Sequence, residues 1–166
     1  DSFTFSVNDG TVDSGSYTMT VDVTPVNDAP TAVDDTDSVK VSNTVTDLTN
    51  GAGSVISDDT DPDSDPLSVG AISFWGGAPF VVSTGTDRTN GTSITGNFGT
   101  LTIGADGSYT YVADQAAADA LDAGDRANDV FVYTLSDGTA TTTANITISV
   151  LGINADPAAV NDTDSV

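Results

Sequence analysis

Two parts of this chain repeat one another about 127 residues apart, and that self-similarity limits the fold more than any single motif. AVDDTDSV at 32–39 returns as AVNDTDSV at 159–166. The opening DSFTFSVNDG (1–10) matches DVFVYTLSDG (129–138), and VNDAP (26–30) matches INADP (153–157). Such periodicity marks a tandem array, in which each unit packs against its neighbours. It divides the sequence into the tail and linker of one unit (1–30), one complete unit (31–157) and the start of a third (158–166).

Period-two alternation dominates within the units, which predicts strands. Phe3, Phe5 and Val7 alternate with Ser2, Thr4 and Ser6; Phe131, Tyr133 and Leu135 do the same, as do Ile146, Ile148 and Val150. Asp9-Gly10, Asn50-Gly51, Asn90-Gly91, Asp106-Gly107 and Asp137-Gly138 mark tight turns. The complete unit reads as about seven antiparallel strands: near 37–43, 45–50 and 66–74, a hairpin of GTLTIG and SYTYVA, then 130–136 and 140–151. A Gly/Thr-rich excursion (75–97) separates the third strand from the hairpin. One helix is expected in DQAAADALDAG, with Asp114 as N-cap and Gly124 as terminator. The fold class is all-β, a Greek-key β-sandwich of immunoglobulin or cadherin-like type.

Composition restricts the chemistry. All 25 acidic residues are aspartate, the formal charge is −22, and the only cations are Lys40, Arg88 and Arg126. Nucleic-acid phosphates and anionic membrane surfaces both call for basic patches, so neither is an expected partner. No apolar run approaches the roughly 20 residues that span a bilayer. The first residues lack the basic and apolar regions of a signal peptide, placing any export signal outside this stretch. With no cysteine or histidine, metal ligation is confined to oxygen, the preference of calcium, magnesium or manganese. The same absences, with no glutamate and one lysine, argue against catalysis.

Five aspartates, Asp58, Asp59, Asp61, Asp63 and Asp65, fall in the eight residues DDTDPDSD. Like charges about 4 Å apart repel by roughly 1 kcal/mol in water and about 4 kcal/mol at an effective dielectric near 20. Either the loop splays into solvent or a divalent cation neutralises it. It is not an EF-hand, lacking the central glycine and the terminal glutamate. Magnesium keeps its waters, so a multi-carboxylate cage points to Ca2+, with Asp61, Asp63 and Asp65 as ligands and Asp59 next. Weak extracellular calcium sites suit an exported protein better than a cytosolic one.

Alternating strand directions bring the acidic loop, Asp106 and Asp137 to the end where the linker arrives with Asp28, Asp34 and Asp35. Asp122, Asp125 and Asp129 fall at the opposite end, beside Asn154 and Asp156. Turn formation is the competing role for Asp28, Asp34, Asp35, Asp106 and Asp137. Trp75 and Phe80 offer either packing or an aromatic platform for a sugar.

The run from GTLTIGADGSYTYVADQ to ITISVLGIN resembles the VCBS repeat of giant bacterial surface proteins. SDDTDPDSDPLSV and the VNDAP linker are similar to the related bacterial cadherin-like repeats. This likeness implies a calcium-stiffened sandwich in the extender region of an RTX-type adhesin, secreted by a type I system onto a Gram-negative cell surface. It implies calcium between adjacent repeats, held by an Asp-x-Asp loop, the linker and a turn before the sixth strand. DAGDRAND resembles the Asp-Arg-Glu turn of cadherins through Asp125 and Arg126, with the glutamate missing. The expected metal ligands are thus Asp28, Asp34, Asp35, Asp59, Asp61, Asp63, Asp65, Asp125, Asp137 and Asp156. The expected function is a structural spacer in cell adhesion or a biofilm matrix fibre; the alternative is a glycan- or surface-binding module built on 75–97.

Overall fold

The computed structural model describes residues 1–41, 44–46 and 54–154. Asp156, the 158–166 start of the third unit and the Asn50-Gly51 turn lie outside the described residues.

The first 30 residues form a hairpin of β1 (Ser2–Phe5) and β2 (Tyr17–Thr20), paired antiparallel from Ser2↔Thr20 to Phe5↔Tyr17. Phe3, Phe5, Tyr17 and Met19 are exposed. The body comprises β3 (Asp35–Lys40), β4 (Thr44–Thr46), β5 (Ser68–Phe74), β6 (Phe80–Val81), β7 (Thr92–Thr95), β8 (Thr100–Ile103), β9 (Tyr109–Val112), β10 (Arg126–Ser136) and β11 (Thr141–Leu151). They make a β-sandwich. One sheet runs β3-β11-β10-β5-β6 and the other β4-β9-β8-β7.

The two longest strands, β10 and β11, form an eleven-residue antiparallel ladder from Arg126↔Leu151 to Ser136↔Thr141. At about 3.3 Å per residue this ladder spans roughly 33 Å, fixing the distance between the poles. Both strands alternate buried and half-buried positions, which directs Phe131, Tyr133, Leu135, Ile146, Ile148 and Val150 into the core. Tyr109, Tyr111, Leu101, Ile103 and Ile72 meet them from the other elements. Tyr111 packs edge-on to Phe131 at 6.2 Å, a favourable arrangement for aromatic rings.

Three expectations need correction. The first strand starts at Asp35, not residue 37, and pairs parallel with β11 (Asp35↔Ile146 to Lys40↔Leu151), so the strands are not all antiparallel. Its partner is set by closure of the sheet edge, which local alternation does not encode. The helix is a single turn, α1 (Ala116–Asp119), with Gln115 rather than Asp114 at the N-cap position and no side-chain cap. Asp114 instead accepts from Thr100 Oγ1 and Gln115 Nε2. The 75–97 excursion contributes β6 and β7, one edge strand to each sheet.

Candidate metal centre

Asp61 organises its own loop. Its Oδ1 accepts the backbone N–H groups of Asp63 (2.9 Å) and Asp65 (3.1 Å), while its carbonyl accepts from Ser64. Short carboxylates close such turns readily. Ser64 takes a positive φ of 65° at the bend. The wrap brings one carboxylate oxygen each from Asp61, Asp63 and Asp65 within 4.8 Å of one another. Two ligands each about 2.4 Å from a calcium ion stand at most about 4.8 Å apart, so the spacing fits. Asp61 Oδ2 is buried and has no hydrogen-bond partner. Hard oxygen donors, close spacing and an orphaned lone pair all suit Ca2+.

The linker is fastened to this loop. Asp28 N–H donates to Asp63 Oδ2 at 2.7 Å, and Thr31 and Thr60 exchange backbone bonds of 2.8 and 3.0 Å. Asn27 Nδ2 donates to Asp137 Oδ2 at 3.0 Å. Asp137 also closes the β10–β11 turn by accepting from Thr139 and Ala140, both at 2.6 Å. Asn27 first, then these amides, hold its carboxyl below the usual range. Asp137 thus combines the turn role with a clamp on the linker, both oxygens engaged. Asp106 closes its own turn through Ser108.

The other expected ligands lie elsewhere. Asp34 Oδ1 accepts from the backbone and side-chain nitrogens of Asn145, seating the start of β3 against β11. Asp125 accepts from Asp122 N–H, and its carbonyl accepts from Gly152 N–H at the β11 end of the ladder, the far pole. Asp35 and Asp59 are interior. Val33 N–H and the Tyr133 hydroxyl bond to Asp59. Burial pushes Asp59 up, and burial with the charges of Asp58 and Asp59 pushes Asp35 up to about 7.

The sequence reading missed a set of buried tyrosine–aspartate pairs. Tyr109 donates to Asp37 (2.9 Å), Tyr111 to Asp129 (2.7 Å) and Tyr133 to Asp59. Asp129, expected at the far pole, is fully buried inside β10. It accepts the N–H groups of Asn97, Phe98 and Gly99 at 2.9, 3.0 and 3.1 Å, holding the β7–β8 turn. The available signal was position: Asp129 shares the inward parity of Phe131 and Tyr133, and Asp35 and Asp37 share that of Val39.

Trp75 is 74% exposed and sits at φ 41°, followed by Gly76 at φ 72°. Gly77 N–H bonds the Phe74 carbonyl across this turn. Two central residues at positive φ are the pattern of a type I′ turn, which favours Asn-Gly over Trp-Gly. The indole borders a shallow depression with Val130, Val132, Asn145 and Thr147 on the outer face of the five-stranded sheet.

Residues 27–152 match the family model of the bacterial cadherin-like domain. No curated protein matches the chain. Among solved structures, an endo-fucoidan hydrolase from glycoside hydrolase family 107 is similar at 23% identity and a TM-score of 0.39. That match covers 91% of this chain and 18% of the hydrolase, so the chain spans under a fifth of that protein. An NMR structure of a Bacteroides thetaiotaomicron protein is similar at 9% identity and a TM-score of 0.29, over 78% of this chain and 94% of that one.

Proposed function

Because the chain belongs to the bacterial cadherin-like domain family, we propose that it is a calcium-stiffened extender module of a long extracellular adhesin or matrix fibre. The observation that carries this reading is the Asp61–Asp63–Asp65 group, its oxygens within 4.8 Å, on a loop hydrogen-bonded to the incoming linker. Without a cation these carboxylates repel one another and loosen the contact between linker and sandwich. With Ca2+ the charge is cancelled and the linker is held to the domain. Asp61, Asp63 and Asp65 would hold the ion, with Asp28 beside it. The ion supplies charge neutralisation and rigidity; the reading includes no catalysis.

The partners in this reading are adjacent repeats. Phe3, Phe5 and Val7 correspond in the internal repeat to Phe131, Tyr133 and Leu135, which are fully buried, whereas the first three are 53%, 47% and 62% exposed. Residues 1–30 therefore read as the last hairpin and linker of a preceding unit, covered when the rest of that unit is present. The finer assignment is a VCBS-type repeat of an RTX adhesin, delivered by type I secretion to a Gram-negative surface. No described helix is long and apolar enough to cross a membrane.

Thermal melting in EDTA and in millimolar CaCl2 tests the metal. A ligand bound only by the folded state stabilises it by RT ln(1 + [L]/Kd), about 2.7 kcal/mol at a hundredfold excess over Kd. The midpoint is expected to rise in calcium, and Asp61→Asn with Asp63→Asn to remove the loop's share. Small-angle scattering of a multi-repeat chain should show a stiffer particle in calcium; identical profiles would refute the stiffening.

One observation favours a second reading, a glycan- or surface-binding module. Trp75 presents an exposed indole on a strained turn, and backbone strain is often kept where a side chain has work to do. Glycan-array binding abolished by Trp75→Ala would support it.

A further inference from the structure

Tyr133 brings one hydroxyl proton to a position crowded with acceptors. Around its oxygen lie Val33 O at 3.0 Å, Asp59 Oδ2 at 3.1 Å, Asp59 Oδ1 at 3.2 Å and Val55 O at 3.3 Å. A hydroxyl has a single donor, so it satisfies one of these or is shared between two. Val33 N–H, at 2.8 Å from Asp59 Oδ1, adds another donor. Asp35 enters from the inward face of β3, where the Asp59 charge and the Tyr133 hydroxyl both act on it: it is 4% exposed, and its Oδ2 is buried with no hydrogen-bond partner. Two carboxylates and two carbonyls thus gather where buried oxygens outnumber the hydrogens offered to them. Unsatisfied buried acceptors are uncommon because each costs the desolvation of its lone pairs.

We infer that Asp35 and Asp59, with the Val33 and Val55 carbonyls, form a second hard-cation site inside the sandwich, separate from the Asp61–Asp63–Asp65 loop. All the donors are oxygens and two are carboxylates, which suits a divalent cation of the calcium class. Magnesium retains several of its waters, and Asp35, Asp59, Val55 and Tyr133 are all buried, which disfavours a hydrated ion. The ligands come from four places: β3, the segment before it, the chain at 55–59 and, through Tyr133, β10. An ion here joins the first strand of the sandwich to its centre. It acts on stability of the module itself, whereas the loop ion acts on the joint. The inference does not rest on the loop site.

The test uses the full chain and Ca2+ itself. In the Asp61→Asn/Asp63→Asn variant, equilibrium dialysis should still find bound calcium, and the melting midpoint should still rise in millimolar CaCl2. Adding Asp35→Asn should lower the bound calcium by one ion per chain and abolish that rise. Asp35→Asn alone should melt no lower than wild type in EDTA, since a buried negative charge has gone, yet lower than wild type in calcium. Two results would overturn the inference. One is a loop variant that melts identically in EDTA and calcium. The other is an Asp35→Asn midpoint raised equally in both, which would show carboxylates that merely share a proton. If Asp35→Asn does not fold, the loop variant decides alone. An Asp61→Asn/Asp63→Asn variant that binds as many calcium ions as wild type, with the Asp35→Asn loss intact, would reject only the loop reading.

Discussion

Asp129→Asn isolates the most heavily bonded carboxylate of the core without changing its shape. Asp129 Oδ1 accepts from Asn97 N–H, and Oδ2 accepts from Phe98 N–H, Gly99 N–H and the Tyr111 hydroxyl. The best amide orientation keeps its oxygen on the three Oδ2 donors and turns its NH2 toward Asn97 N–H, donor against donor. One buried N–H is orphaned, at about 1–3 kcal/mol, and three charge-assisted bonds become neutral, losing about 1 kcal/mol each. Burying a neutral amide instead of a carboxylate recovers part of this. The net loss is about 3–5 kcal/mol, which lowers the melting midpoint by roughly 6–20 °C for a chain of this size. Tyr111→Phe alone should cost about 1–2 kcal/mol, and little when added to Asp129→Asn, because the two share one bond. Circular-dichroism melts in EDTA and in CaCl2 give the result, and the loss should be the same in both. A midpoint shift near zero would refute the account of Asp129 as the structural anchor of the β7–β8 turn. A loss seen only in calcium would make Asp129 a metal ligand instead.

Gly96→Ala tests the same anchor from the other side: a Cβ there would collide with the Asp129 carboxylate, so destabilisation of about 1–3 kcal/mol is expected in melts. Trp75→Asn should raise the midpoint by roughly 2–4 °C, about 1 kcal/mol, since asparagine tolerates the left-handed backbone that tryptophan resists; a lower midpoint would show that the indole packs. In EDTA, the stability difference between wild type and Asp35→Asn should widen as pH rises from about 4 to 7. Asp35 sits at about 7 when folded against 3.8 ordinarily, so its protonated form favours the fold and that contribution is lost through this window. Burial, Asp58, Asp59 and Asp34 raise Asp35 while Tyr133 opposes them, and the full effect is at most about 4 kcal/mol; a constant difference across the window would contradict it.

The sequence exposed the parts of the fold that depend on local pattern. Alternation in VFVYTLS and ANITISVL located β10 and β11, because each strand has one face packed on the core. GTLTIG and SYTYVA gave β8 and β9, with the Asp106-Gly107 turn between them. The parallel partner of β3 was hidden because it is chosen by sheet closure across more than a hundred residues. β6 was hidden because two residues carry no pattern, and β7 because TSIT holds a single large apolar residue within a Gly/Thr-rich stretch. DQAAADALDAG misled for a different reason. Alanine favours a helix, but Ala118 and Leu121 dock on the core and the chain must turn into β10, so one turn is all that forms.

The acidic residues divide along the same line, and the division bears on function. Asp61, Asp63 and Asp65 are legible because a dense run in a loop has few ways to relieve its repulsion. Asp35, Asp37, Asp59 and Asp129 look identical to them by composition, yet all four are buried. What separates the classes is the donor each one finds. Asp37 and Asp129 each receive a tyrosine hydroxyl, which satisfies a charge that burial would otherwise penalise. Asp59 must share Tyr133 with two carbonyls and Asp35 Oδ2 has no partner, so that corner of the core has hydrogen-bond acceptors in excess. If the two proposed ions bind, a module that places its surplus acceptors at the linker loop and just beneath it has a fold and a joint that respond to the same cation. Asp37 and Asp129, already bonded by tyrosine donors, would stand outside that response, so Asp129→Asn and Asp35→Asn should differ in their dependence on calcium.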